Sequence, residues 1–156
     1  MDELQNYKVK KIDYAKILIC VDSDDFGSSK NAFNYACSLA KHYGAELGIV
    51  SVLETGDLNV FQSLDPSILK ERREEIKRLL ETYGQKAKEY GMSDDDIHLM
   101  VTEGNPGHVI TENVIPQYGP DLVVIGVDKN RRDHDNIGSQ GSRIVNLSPV
   151  SVSVIR

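Results

Sequence analysis

The chain contains no tryptophan, three phenylalanines and only two cysteines in 156 residues. Cys20, in "KILICV", and Cys37, in "NAFNYACSLA", each sit in an apolar periodic segment, so they read as small buried hydrophobes and not as a disulfide framework. No run approaches about 18 uninterrupted apolar residues, which excludes a membrane-spanning helix. The opening "MDELQNYKVKKIDYA" lacks the apolar core of a secretory signal, so residues 1–15 read as a polar N-terminal extension of a cytoplasmic protein. No basic stripe with interleaved aromatics occurs. With a formal net charge of −6, neither nucleic acid nor a membrane is expected as a partner. A phosphate-binding loop ending in lysine and serine is missing, as are a nucleophile beside a base and paired carboxylates in acid/base positions. A dedicated enzyme therefore has no candidate catalytic residues.

What the chain does have is an alternation of apolar strands and amphipathic helices. "KILICV" (16–21) is short, apolar and rich in β-branched residues, as in a strand covered on both faces. Ala32, Ala36, Leu39, Ala40 and Tyr43 recur at helical spacing, with Ser28 as the expected N-cap and Gly44 as the stop. "ELGIVSVL" (46–53) is a second strand. Asp65 and Pro66 supply a cap and a first-turn proline for a long helix ending at Gly91, its charged face including an expected Glu74–Arg78 pair. "IHLMVT" (97–102) is a third strand, and Asn105 with Pro106 opens a further helix. "DLVVIGV" (121–127) is a fourth strand, a short helix is expected over 138–147, and "VSVSVI" (150–155) closes the chain.

Such alternation predicts an open, doubly wound α/β fold with a five-stranded parallel sheet and helices on both faces, residues 16–156 forming one domain. The last strand differs from the others. Val150, Val152 and Val154 alternate with Ser151 and Ser153, which marks one less-covered face and hence a sheet edge. Pairing with the same strand of a second copy would protect that edge.

Ligands of such sheets bind beyond the carboxyl ends of the strands. The loops there are "DSDDFGSS", "ETG", "EGNPG" and "DKNRRDHDNIGSQGS". Gly126 at the end of the fourth strand lets backbone approach a phosphate, while Gly138 and Ser139 bring amides and a hydroxyl to a helix start. Isolated glycines after strands are also ordinary turn formers. The three adjacent residues of "DHD" (133–135) cannot easily converge on one metal ion, so no metal site is assigned. His108, near a helix start, reads as an exposed surface histidine.

The stretches "KILICVDSDDFGSSKNAFNYACSLAKHYGAELGIVSVLE", "VTEGNPGHVI", "DLVVIGV" and "GSQGSRIVNLSPVSVSVI" resemble the universal stress protein (UspA) family over nearly all of residues 16–156. The resemblance implies a sheet of order 3-2-1-4-5, the adenine nucleotide alpha hydrolase-like fold, and homodimers formed through the last strands. It also implies binding of ATP, with magnesium, by a Gly-x2-Gly-x9-Gly-Ser/Thr segment after the fourth strand. Gly126 fits the first glycine, and Gly138 and Ser139 fit the closing pair, with Gln140 next in the helix. Lys129 stands where the second glycine belongs, and eight residues, Asn130 to Ile137, follow it instead of nine. Asp22 and Val52 match positions beside the adenosine, and Gly104 with Pro106 matches a turn lining the same cleft.

Two functions follow. One is a stress-response regulator that binds an adenine nucleotide weakly at the carboxyl rim of the sheet, with little or no turnover. The other is a stress-response homodimer that acts through protein contacts without a nucleotide, favoured by Lys129 and the shortened spacer. A phosphoacceptor domain is disfavoured, because the third strand ends in Glu103 where an aspartate is needed.

Overall fold

The structure is a computed structural model, and residues 1–55, 65–127 and 137–156 are described here. Its sheet has five parallel strands, β1 (Lys16–Cys20), β2 (Glu46–Leu53), β3 (Ile97–Glu103), β4 (Leu122–Gly126) and β5 (Ser151–Ile155), in the order β3-β2-β1-β4-β5. The helices are α1 (Asp2–Gln5), α2 (Phe26–Tyr43), α3 (Pro66–Tyr90), α4 (106–118) and α5 (Gly138–Leu147).

Strand alternation divides the core into two layers. Ile17, Ile19, Leu47, Ile49, Leu122 and Val124 point to the face covered by α2 and α3. Leu18, Val50, Val123 and Ile125 point to the other, where Val109, Ile110, Val114 and Ile115 of α4 and Ile144 of α5 close over them. Full burial of each such side chain stabilises by about 1.5–3 kcal/mol, so the central β1 and β4 contribute on both sides. β5 lies at the edge, as its alternation requires. Val150, Val152 and Val154 pack on the α4/α5 layer, and Tyr35 of α2 meets Ser153 on the opposite face, 3.3 Å between oxygens.

Helix ends follow local chemistry with one correction. The cap of α2 is Asp25, whose carboxylate accepts from the Ser28 amide at 3.2 Å; Ser28, the expected cap, lies buried inside the first turn. Aspartate three residues before Ser28 starts the helix at Phe26 and leaves Ser28 third in the first turn, donating its amide to the cap. Asp65 caps α3 as expected, and hydrogen bonds from the Ser67 hydroxyl and amide hold its carboxyl below the usual range. On α3, Glu74 reaches Lys77 at 3.4 Å and not the expected Arg78.

The helix α4 is not uniform. Pro106–Val109 and Ile115–Tyr118 are α-helical, and Ile110–Val114 between them forms a π turn closed by the Ile115 amide donating to the Ile110 carbonyl. Pro116 has no N–H and its ring crowds the carbonyl four residues earlier; a widened turn just before it relieves that conflict.

The chain enters the sheet through a clamp. One carboxylate oxygen of Asp121 accepts from the amides of Ala15 at 2.6 Å and Lys16 at 2.9 Å. Tyr14 packs edge-on against Tyr43 of α2, ring centroids 5.1 Å apart. Residues 1–13 are exposed throughout.

Candidate functional site

At the carboxyl ends of β1 and β4, where strand order reverses, lies a cleft of about 250 Å³. This is the position at which open parallel sheets bind ligands, because the loops leaving the two strands diverge to opposite faces. Val50, Val52, Ile110, Ile125 and Ile144 give it apolar walls, while Asp22, Ser23, Glu54 and Gln140 supply polar groups. A smaller cleft of about 210 Å³ adjoins it over α3 and shares Ser23, Val52 and Glu54 with it.

Of the residues expected from the sequence, Asp22, Val52, Pro106, Gly126 and Gln140 line the larger cleft together. Gly104, Gly138 and Ser139 are not among its described lining residues. Lys129, with Arg131, Arg132 and the "DHD" triplet, falls outside the described residues. Glu54, Ile110 and Ile144 were not singled out from the sequence. Glu54 stands immediately after β2, so the same search of strand-end loops that yielded Asp22 had the signal for it. The isoleucines carried only a core pattern.

Asp22 organises the loop it begins. Its amide donates to the Ser29 hydroxyl at 2.8 Å, and its carboxylate accepts from the Asp24 amide at 2.8 Å, closing an aspartate turn that leaves the side chain exposed at the cleft rim. Below it the Ser51 hydroxyl, fully enclosed, donates to the Val21 carbonyl at 3.0 Å and fixes the mouth of β1 against β2.

Gly126 has a reason to be glycine that involves no ligand. A β-carbon there would overlap the carbonyl oxygen of Ser28, so the first turn of α2 can rest on β4 only if that side chain is absent. Gly104 is held at φ +129°, a conformation other residues rarely adopt, and its amide extends the β2 ladder by donating to the Leu53 carbonyl at 3.0 Å. Gly138 is likewise held at φ +79°, opening α5 behind Ile137, a residue with no oxygen to cap the first amides.

Gln140 joins the two helices flanking the cleft. Its side-chain oxygen accepts from the Gly107 amide at 2.7 Å and so satisfies one of the open donors at the start of α4. The two helices approach so closely that a β-carbon at Gly107 would lie 2.8 Å from that same oxygen. His108 is exposed, as expected, with Glu112 one turn along at 3.1 Å.

Cys20 lines the cleft, and burial pushes its thiol up to about 12, as it does that of Cys37. Both therefore remain protonated and weakly nucleophilic at neutral pH. Among the described residues no group of three metal-capable side chains converges, and no helix is long and apolar enough to cross a membrane.

A parallel sheet of this order with a cleft at its β1/β4 reversal defines the open, doubly wound class of α/β proteins. The sequence profile of the universal stress protein family matches residues 13–156, and the chain belongs to that family. A candidate universal stress protein of Staphylococcus epidermidis is 29% identical over 146 residues, covering 93% of this chain and 86% of the relative. Among solved structures, the universal stress protein UspA from Lactobacillus plantarum superposes with a TM-score of 0.75 at 26% identity, covering 94% of this chain and 100% of that one. Two more distant ones share the fold. A universal stress protein in complex with cAMP has a TM-score of 0.69 at 20% identity, with 93% and 98% of the two chains covered. An Arabidopsis thaliana universal stress protein family protein with AMP bound has a TM-score of 0.61 at 18% identity, with 90% of each chain covered.

Proposed function

We propose that this chain is a stress-response regulator that binds an adenine nucleotide in the β1/β4 cleft and turns it over little or not at all. The observation that carries the reading is the convergence of Asp22, Val52, Gly126 and Gln140 on one cleft at the topological reversal. The cleft chemistry fits an adenylate. Its apolar walls suit a purine ring, and the carboxylates of Asp22 and Glu54 at its rim can accept from an exocyclic amine or from sugar hydroxyls. Phosphates belong at the start of α5, where Gly138 and Ser139 bring amides and a hydroxyl to the positive end of a helix dipole. ATP with magnesium is the form that the family motif implies. With no ready set of protein ligands among the described residues, magnesium would be carried on the phosphates. Relatives with AMP or cAMP bound support the adenine class.

The same reading has the protein act as a homodimer through β5. Val152 and Val154 on that edge and the exposed Val145 and Leu147 of α5 provide apolar surface for a second copy.

A scaffold without a nucleotide is the second reading. It is favoured by the packing roles of Gly126 against Ser28 and of Gln140 against Gly107, which account for both residues with no ligand. Thermal unfolding in the presence of AMP, cAMP and ATP with and without magnesium separates the two. Ligand at 100 times its Kd stabilises the native state by about 2.7 kcal/mol. No shift with any adenylate at millimolar concentration, together with no nucleotide released on denaturing the purified protein, would leave the scaffold.

A further inference from the structure

The N-terminal arm carries five of the large apolar side chains that the described structure leaves exposed: Met1, Leu4, Tyr7, Val9 and Ile12, the last three at 61%, 90% and 66%. A solvated tail ordinarily has few such residues. Within it, residues 7–12 (Tyr-Lys-Val-Lys-Lys-Ile) open with strict alternation, placing Tyr7 and Val9 on one side of an extended chain and Lys8 and Lys10 on the other.

At the far side of the sheet, β3 is an edge strand. Its odd-numbered residues face α3, and Leu99 among them, lying against Gly84 of that helix, is still 41% exposed. A large apolar residue uncovered on a seven-residue edge is the surface that protein sheets normally protect. The edge is flanked by acid. Asp94, Asp95 and Asp96 precede it, Asp94 already paired with Lys88 at 2.6 Å, while Glu103 at its far end is paired with Arg73 of α3.

We propose that residues 7–12 of one copy add as a strand to the β3 edge of a second copy. Tyr7 and Val9 lie on the α3 side and cover Leu99, while Lys8 and Lys10 on the other side meet Asp95 and Asp96, and Lys11 adds its charge beside them on the α3 side. Length, alternation and charge agree: six extended residues match a seven-residue edge, and three positive charges meet an acidic border on a body that is negative overall. The clamp at Asp121 keeps the arm from being drawn into its own core while leaving 7–12 available. Two copies exchanging arms give a closed, symmetric contact on the opposite side of the sheet from β5.

The test is sedimentation velocity with amide hydrogen exchange, on the full chain and on a chain lacking residues 2–12. β3 amides and arm amides should gain protection together as protein concentration rises, and deletion should weaken that association at least about tenfold. A Lys8→Glu, Lys10→Glu, Lys11→Glu variant should lose it as well, and adding Asp95→Lys and Asp96→Lys should restore it. Association should also weaken with salt. β3 protection unchanged by the deletion would overturn the proposal. So would arm protection independent of concentration, which means the arm lies on its own sheet, or protection of the arm only on adding anionic lipid vesicles. Protection confined to β5 overturns it too and leaves the β5 contact standing.

Discussion

The α-carbon of Gly126 faces the carbonyl oxygen of Ser28 so closely that no β-carbon fits between β4 and the first turn of α2. The glycine at position 126 is thus required by packing, whether or not a ligand ever meets it. Gly126→Ala should destabilise the protein by about 1–3 kcal/mol, the usual cost of overpacking. A lowered urea midpoint with an unchanged slope, in protein freed of nucleotide, is the expected result.

Gln140 offers a cleaner probe of the cleft wall. Gln140→Ala leaves the Gly107 amide without its acceptor and should cost about 1 kcal/mol, whereas Gln140→Glu keeps an acceptor and most of the stability. Hydrogen exchange at Gly107 should accelerate in the alanine variant. Equal exchange in both variants would show that α4 and α5 are not joined there.

Gly138 separates backbone strain from ligand contact. At φ +79°, Gly138→Asn should be tolerated best and Gly138→Ala should cost about 1–2 kcal/mol. Gly138→Val should abolish adenylate affinity, because a branched side chain would occupy the phosphate approach. Calorimetry showing undiminished affinity in folded Gly138→Val would remove the phosphate position from α5.

The cysteines set an alkaline limit. Their ordinary thiol value is 9.0, and burial raises both to about 12 in the fold. Between those values the unfolded chain releases thiol protons that the native chain retains. The stability they contribute is therefore complete below about pH 9 and declines as pH climbs toward 12. Cys37→Ala should flatten that decline, read as the pH dependence of the urea midpoint above pH 9. Iodoacetamide should label both thiols slowly at neutral pH.

Most of the fold was legible because period and punctuation agreed. β2 runs from Glu46 to Leu53 as its apolar run indicated, α3 is bracketed by Asp65 and Gly91, and the alternating last strand is an edge. What the sequence concealed depends on contacts between distant segments. Ser28 looks like a cap until Asp25 is seen to reach its amide, and the π turn in α4 carries no periodic signal beyond Pro116. The cleft was legible as a location, since the loops at strand ends can be found by pattern alone. The separate roles of its residues were not. That Gly126 answers to Ser28 and Gln140 to Gly107 are facts about neighbours 98 and 33 positions away in the chain.

Both amides at the root of the N-terminal arm converge on a single oxygen of Asp121, beside the first residues of β1 and β4. Tension on the arm is consequently delivered to the middle of the sheet and not to its rim. The root of the arm and the mouth of the cleft thus stand at opposite ends of the same two central strands.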